Sequence, residues 1–381
     1  MSSRFGSTGH TAPPALSSHE AYLGAKRIPC LDGLRALAIA EVIAHHAGLG
    51  GLAGRGFLGV SLFFAISGFL ITTLLLRERA RTGTISRQRF HLRRLLRIWP
   101  LYLAVLGLYV AVVNAMEADP VQREAFQLNL PFFATFTTNL FVHLPPHGRL
   151  IFYFSWSLAA QEQFYLFWPT VLRACRRWLV PALAIVGFLA LQIAVRGAAA
   201  PAARPWLGIA NEVVTNFEPI LLGCAIACAL HDARGFALLS RIAARAWSLP
   251  LALALVVALQ YATAVPRVAS DLAVVFLVVA AVLGGAPLAT RLLELRALRH
   301  VGVVSYCVYL VHMLVMNAVR RAVGDQRRAI VVGLTLVLSV AVASLSQRYF
   351  EGPIQSLRER LDGARSARRE RLGTSPAVAE E

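Results

Sequence analysis

Apolar residues run through this chain in long stretches, each close to the ~20 residues that an α-helix needs to cross a bilayer. Ten stretches qualify: 33–50, 56–77, 98–115, 154–174, 178–196, 212–231, 247–265, 269–287, 302–319 and 329–350. An eleventh, 131–144, is shorter, lies between Pro131 and Pro145, and carries Asn139 and His143. A short polar-marked stretch of that kind suits a re-entrant or interfacial piece better than a span. The pattern predicts an all-α polytopic membrane bundle of about ten transmembrane helices, with the lipid bilayer as its first partner.

Charge refines this picture. Only 15% of the residues are charged and 57% are hydrophobic, and the mean hydropathy is +0.60. Soluble domains carry nearer 25% charge. The formal net charge is +18. That surplus could suggest a nucleic-acid partner, but the basic residues are not gathered in one domain, and none is expected. They fall in alternate loops: Arg77 to Arg97; Arg173, Arg176 and Arg177; Arg234, Arg241 and Arg245; Arg291, Arg296 and Arg299; and the tail after Arg358. With ten spans, all these loops share a side with the N-terminus, and the positive-inside rule makes that side the cytoplasm. Both termini are then cytoplasmic. Only Arg320, Arg321, Arg327 and Arg328 run against the rule, and an eleventh span at 131–144 would put three basic loops outside.

Residues 1–27 are polar and rich in Ser, Gly and His, which predicts a disordered cytoplasmic tail. Residues 356–381 read as a basic cytoplasmic tail. The first apolar run starts late and contains Arg35, Glu41 and two histidines, unlike a signal peptide. The five cysteines show no metal-ligand spacing and suit small buried hydrophobes, so no metal is expected.

Polar residues inside the spans carry the candidate chemistry, because ionisable groups in bilayer helices cost about 2.5–3.5 kcal/mol on insertion scales. Ser155–Pro169 places Gln161, Glu162 and Gln163 at the head of an apolar segment. Glu162 suits either function or an ion pair that packs helices. In the first span Arg35 and His46 share one helix face about 16 Å apart, with Asp32 near that stripe. His46 is either a core histidine or a proton acceptor, since imidazole titrates near neutral pH. His45 points elsewhere and faces Glu41 at i, i+4, where a structural pair suffices. Arg94 and Arg97, one turn apart before Ile98-Trp99-Pro100, suit either topology or phosphate binding. Asn216-Phe217-Glu218-Pro219 interrupts one span. Ser305, Tyr306 and His312 mark another, with His312 two turns after Ser305 on one face. The glycines from Gly48 to Gly59 form a flexible loop, not a phosphate cradle.

Several segments together resemble the acyltransferase family 3 of integral membrane acyltransferases. They are Leu31 to Ala36 with His46, Gly56 to Thr72, Phe90 to Tyr102 with Arg94 and Arg97, Trp156 to Pro169, Ser305 to His312, and Arg348 to Pro353. The resemblance covers residues 28–355 in the right order, which makes that region the membrane acyltransferase domain. It implies transfer of an acyl group, usually acetyl from acetyl-CoA, to a hydroxyl of a glycan, a lipid-linked sugar or a small molecule, in the inner membrane of a bacterium. The family's Arg–His motif falls on Arg35 and His46, and its paired-arginine motif on Arg94 and Arg97. The resemblance therefore casts His46 and Glu162 as catalytic and Arg35, Arg94 and Arg97 as donor-binding. Ser157, Tyr165, Glu218, Ser305 and His312 are the candidate acceptor contacts. Two departures stand out: Gln161 replaces the first of two consecutive glutamates, and Gly352 a basic residue. A proton-coupled transporter of a polar or anionic substrate is the rival class, although the two halves show no repeat.

Overall fold

The computed structural model describes residues 18–50, 57–144, 150–175, 187, 190, 205–261 and 267–356. Among them the long elements are all helices and no strand occurs. In chain order they are α1 (His19–Gly24), α2 (Cys30–His46), α3 (Phe57–Thr82), α4 (Arg87–Met116), α5 (Pro120–Ala134), α6 (Thr138–Phe141) and α7 (Trp156–Ala174). They continue as α8 (Pro205–His231), α9 (Ala233–Ala243), α10 (Ser248–Tyr261), α11 (Arg267–Leu283), α12 (Pro287–Leu293), α13 (Arg296–Val323) and α14 (Arg328–Ser346). Local signals set several starts. Ser86 caps α4 and Asp119 caps α5, which has Pro120 in its first turn, while Asp232 accepts from the Arg234 and Gly235 N–H groups to open α9.

Nine of the ten expected spans fall on α2, α3, α4, α7, α8, α10, α11, α13 and α14. The tenth, 178–196, lies almost wholly outside the described residues. Among the described residues, however, only four helices are long and apolar enough to cross a membrane alone: Leu58–Thr82, Arg87–Met116, Arg296–Val323 and Arg328–Ser356. Two more spans qualify as bent pairs, α8 with α9 at 110° and α11 with α12 at 100°. The expected ten thus become four to six among the described residues. The shortfall has a physical cause: α2 has 17 residues and carries Asp32, Arg35 and Glu41, α7 holds its glutamines and Glu162, and α10 has 14 residues. These are the helices of an integral membrane protein whose most polar members are packed inside.

Two sequence expectations meet firm structure. Stretch 131–144 does not form one helix: α5 ends at Ala134, Phe136 takes a left-handed φ of 54°, and α6 has four residues. Asn129 Nδ2 donates to the His143 carbonyl at 2.8 Å and its Oδ1 accepts from the His143 N–H at 2.7 Å, folding the segment back. Part of the tail expected to be disordered is ordered. Tyr22 of α1 is fully buried with its hydroxyl 3.2 Å from Thr73 Oγ1, and Arg77 donates to the Tyr22 and Ala25 carbonyls. Residues 1–17 and the tail 357–381 lie outside the described residues.

Small residues let the helices close on one another, the usual device where no water drives helices together. A Cβ at Gly302 of α13 would stand 1.8 Å from the Asp32 carbonyl oxygen of α2, and one at Gly68 of α3 would stand 2.0 Å from that of Ile220 on α8. Hydrogen bonds gather the basic loops at one end of the bundle. Arg79 donates to the Leu172 and Cys175 carbonyls at 3.1 and 2.8 Å, Arg173 to that of Ile85 at 3.4 Å, and His19 Nε2 lies 3.0 Å from that of His231. At the opposite end, Arg320 donates to the His46 carbonyl at 2.9 Å and Arg328 to that of Gly48 at 2.6 Å. These two arginines cap the open carbonyls at the end of α2, which accounts for two of the four basic residues on the wrong side of the charge pattern.

Candidate functional site

Helices α2, α3, α7 and α13 enclose a half-open cavity of about 70 Å³. Three contribute a stripe at helical spacing, Ser67, Phe64, Phe63 and Val60 on α3, Gln161, Leu158 and Ser157 on α7, and Ser305, Tyr306 and Tyr309 on α13, while α2 contributes Arg35 alone. The directions of the helices order these residues. Arg35, Ser67, Gln161, Ser305 and Tyr306 lie toward the basic end, whereas Val60, Phe63, Phe64, Ser157, Leu158 and Tyr309 lie toward the other.

The polar side chains of the lining are tied to protein partners, with one exception. Gln161 Nε2 donates to Ser67 Oγ at 2.5 Å, Ser305 Oγ to the Gly302 carbonyl at 2.8 Å, and Tyr306 to the Ile98 carbonyl of α4 at 3.0 Å. Tyr309 donates to the Phe154 carbonyl at 2.9 Å, and its hydroxyl lies 2.7 Å from Ser157 Oγ. The exception is Arg35, which lines the cavity, makes no hydrogen bond to protein among the described residues, and has the Asp32 carboxylate as its nearby opposite charge. A guanidinium so placed presents its donors to whatever enters.

Beyond Tyr309 lie two histidines. The His312 ring stands 5.5 Å from the Tyr309 ring, 5.2 Å from Phe154 and 5.1 Å from His46. His46 Nδ1 is 2.9 Å from the Val42 carbonyl and His312 Nδ1 is 2.6 Å from the Tyr309 carbonyl. A carbonyl can only accept, so each neutral ring carries its proton on Nδ1 and its basic lone pair on Nε2. His312 is fully buried, and its Nε2 has no hydrogen-bond partner. The contact between these histidines is tertiary and was not among the sequence expectations.

Toward the basic end, Arg94 lays its guanidinium 3.8 Å above the Tyr165 ring, a cation–π contact. Glu162 sits beside Arg94 and Trp99, near Tyr165 and Tyr306. Arg97, one turn after Arg94, is exposed near Asp32 and Glu351. The two arginines therefore diverge: one is turned inward and one faces out.

Of the residues singled out from sequence, Arg35, Ser157 and Ser305 line the cavity, His46 and His312 adjoin each other beyond it, and Arg94, Glu162 and Tyr165 cluster behind it. Glu218 is buried on α8 and is no part of the lining. The ring packed against His46 is His312, while Glu162 turns toward α4, because the ~100° step per helical residue aims it away from the cavity that Gln161 faces. One expectation is corrected. Glu41 does not pair with His45: its carboxylate accepts from the Gly59 N–H at 2.9 Å, which caps the start of α3. Ser67, Phe63, Phe64 and Tyr309 were missed. Only Tyr309, between Ser305 and His312 on their shared face, was readable from spacing.

A family model described as an acyltransferase domain matches residues 28–347. A provisionally named O-acetyltransferase of Staphylococcus aureus (strain COL) is 37% identical over 158 residues, which are 40% of this chain and 26% of that protein. The O-acetyltransferase OatA of Staphylococcus aureus (strain NCTC 8325 / PS 47) is 32% identical over 222 residues, 52% of this chain and 34% of OatA. The chain thus spans about a quarter to a third of the length of these curated relatives. No solved structure matches.

Proposed function

This chain belongs to the acyltransferase family whose model spans residues 28–347, and we propose that it transfers an acyl group, acetyl in the first instance, from acyl-CoA to a hydroxyl of an envelope glycan, a lipid-linked sugar or a small molecule. The observation that carries this reading is the column of groups through the bundle: exposed Arg97, then Arg94 on Tyr165, then Arg35 open to the cavity, then Tyr309, His312 and His46. A thioester donor is too polar to cross a bilayer, so an enzyme that joins it to an acceptor on the far side needs such a path.

In this reading the basic end is cytoplasmic, both termini lie there, ten helices span a bacterial inner membrane, and the relatives' O-acetyltransferase names fit transfer to an oxygen acceptor. Arg97 and Arg94 meet the phosphates of the donor and Arg35 its pantetheine arm. His46 Nε2 takes the proton of the acceptor hydroxyl as its oxygen attacks the thioester carbonyl. The C–O bond forms, the C–S bond breaks, and the proton passes to the departing thiolate. His312, against the His46 ring, holds that ring in place. Glu162 acts by fixing Arg94.

The test uses the protein in lipid nanodiscs with radiolabelled acetyl-CoA and membranes of the producing cell as the acceptor source. Label should enter base-labile esters with release of free CoA thiol. His46→Ala should lower the rate about 10²–10⁴-fold, the usual range for a lost general base, while His45→Ala stays near wild type. A protein that consumes no thioester, or a His46→Ala variant of full activity, overturns the reading.

A further inference from the structure

The end of the cavity away from Arg35 is walled mostly by apolar side chains, and its rings are packed on other rings. Phe64 is 2% exposed and meets the Trp156 ring edge-on at 6.3 Å, with an interplanar angle of 85°. Phe63 meets Tyr309 in the same manner at 6.3 Å and 71°, and Tyr309 is itself pinned by its hydroxyl to the Phe154 carbonyl and Ser157. Edge-to-face pairs of this kind hold ring positions. Val60 and Leu158, each 9% exposed, complete the wall. The space inside, about 70 Å³, corresponds to roughly five or six water-sized atoms at about 10–15 Å³ each.

From this shape we infer that the cavity is an acyl-length gauge: it admits the thioester and an acyl chain of up to about four carbons, and Val60, Phe63, Phe64 and Leu158 set that ceiling. The inference rests on the acyl-CoA reading above, since it assumes that the donor enters past Arg35 with its acyl group leading. The order of the lining supports it. Donor-facing polar groups (Arg35, Ser67, Gln161) come first along the path and the apolar wall comes second. The fit also puts the thioester carbonyl near Tyr309, on the side where His312 and His46 lie. Longer chains have no room to turn, because each ring that would have to move is backed by another.

Equilibrium competition tests this without an acceptor. Nanodisc protein is loaded with radiolabelled acetyl-CoA and challenged with unlabelled acetyl-, butyryl-, hexanoyl- and octanoyl-CoA. In the wild type, the strength of competition should fall about ten-fold or more between butyryl- and octanoyl-CoA, in line with the discrimination that surplus methylenes cause in a fixed pocket. Phe64→Ala and Phe63→Ala should each raise the octanoyl-to-acetyl ratio about ten-fold or more, and Val60→Phe should lower the butyryl-to-acetyl ratio. Phe63 is only partly buried, so its variant keeps the test open if Phe64→Ala does not fold. Equal competition at all lengths, or ratios that the folded variants leave unmoved, overturns the gauge while leaving the donor reading intact. Failure of every CoA thioester to displace the label, with CoA itself also inert, sinks the donor reading and the gauge with it.

Discussion

At Gln161 the chemistry of one atom decides what its neighbour can do. An amide nitrogen only donates, so Ser67 Oγ must accept at this 2.5 Å contact, and the Ser67 proton is left to point elsewhere along the cavity lining. A glutamate at 161 would reverse the bond, with the hydroxyl donating to a carboxylate and forming a charge-assisted contact of at least equal strength. Gln161→Glu should therefore retain acyl transfer within about ten-fold. Gln161→Leu removes the partner of Ser67, and since a hydrogen bond is worth about 1 kcal/mol net, transfer should fall roughly five-fold or more. Initial rates of acetyl incorporation into base-labile ester read both, and a leucine variant as fast as wild type would remove Gln161 from the site. Arg35, His46 and Ser305 were legible in the sequence because charge or helical spacing marks them, and Ser157 only through the family resemblance. Ser67 was not, because a lone small hydroxyl within an apolar run looks like any other, and the contact of His312 with His46 needs the parallel docking of two helices far apart in sequence.

Among the helices, the docking that makes this site depends on backbone approach. Gly302 lets α13 lie against α2 at the level of Asp32, and the same two helices carry His312 and His46 some three turns further along. A side chain at position 302 has no space, since the Asp32 carbonyl oxygen would stand 1.8 Å from its Cβ. Gly302→Val should pry α13 from α2, cost about 1–3 kcal/mol as overpacking does, and separate the two rings. Gly333→Val is the control, because a Cβ there meets nothing within 4 Å. Thermal unfolding followed with a thiol-reactive dye reads both, since Cys30, Cys224, Cys228 and Cys307 are buried and free until the bundle opens. An unchanged midpoint for Gly302→Val would mean that this crossing is not held as described. The apolar pattern located nine of the fourteen described helices but gave no crossing, because a glycine within an apolar run carries no sign of which neighbour needs its missing Cβ. The bends at α8–α9 and α11–α12 were lost in the same way, each being read as one span with a loop.

For the molecule as a whole, the charge pattern and the hydrogen bonds reach one arrangement by separate routes. Arginines alternate along the chain, and in space those of the α3–α4 and α7 ends meet through Arg79 and Arg173, while Arg77 ties α1 to the same end. The exceptions at the other end serve a local purpose, since Arg320 and Arg328 bind the last carbonyls of α2, and Arg320 pairs with Asp325 at 2.7 Å. Basic residues committed to backbone carbonyls and a carboxylate weigh less on topology than free ones, so the positive-inside rule still puts the Arg79 end in the cytoplasm. Two exposed glutamines report this directly. In a Cys175→Ser background, Gln326→Cys should react with a membrane-impermeant maleimide in intact cells, whereas Gln88→Cys should react only after permeabilisation. Labelling of Gln88→Cys from outside, with Gln326→Cys protected, would invert the protein. The column from Arg97 to His46 would then open its donor end away from the cytosolic acyl-CoA pool.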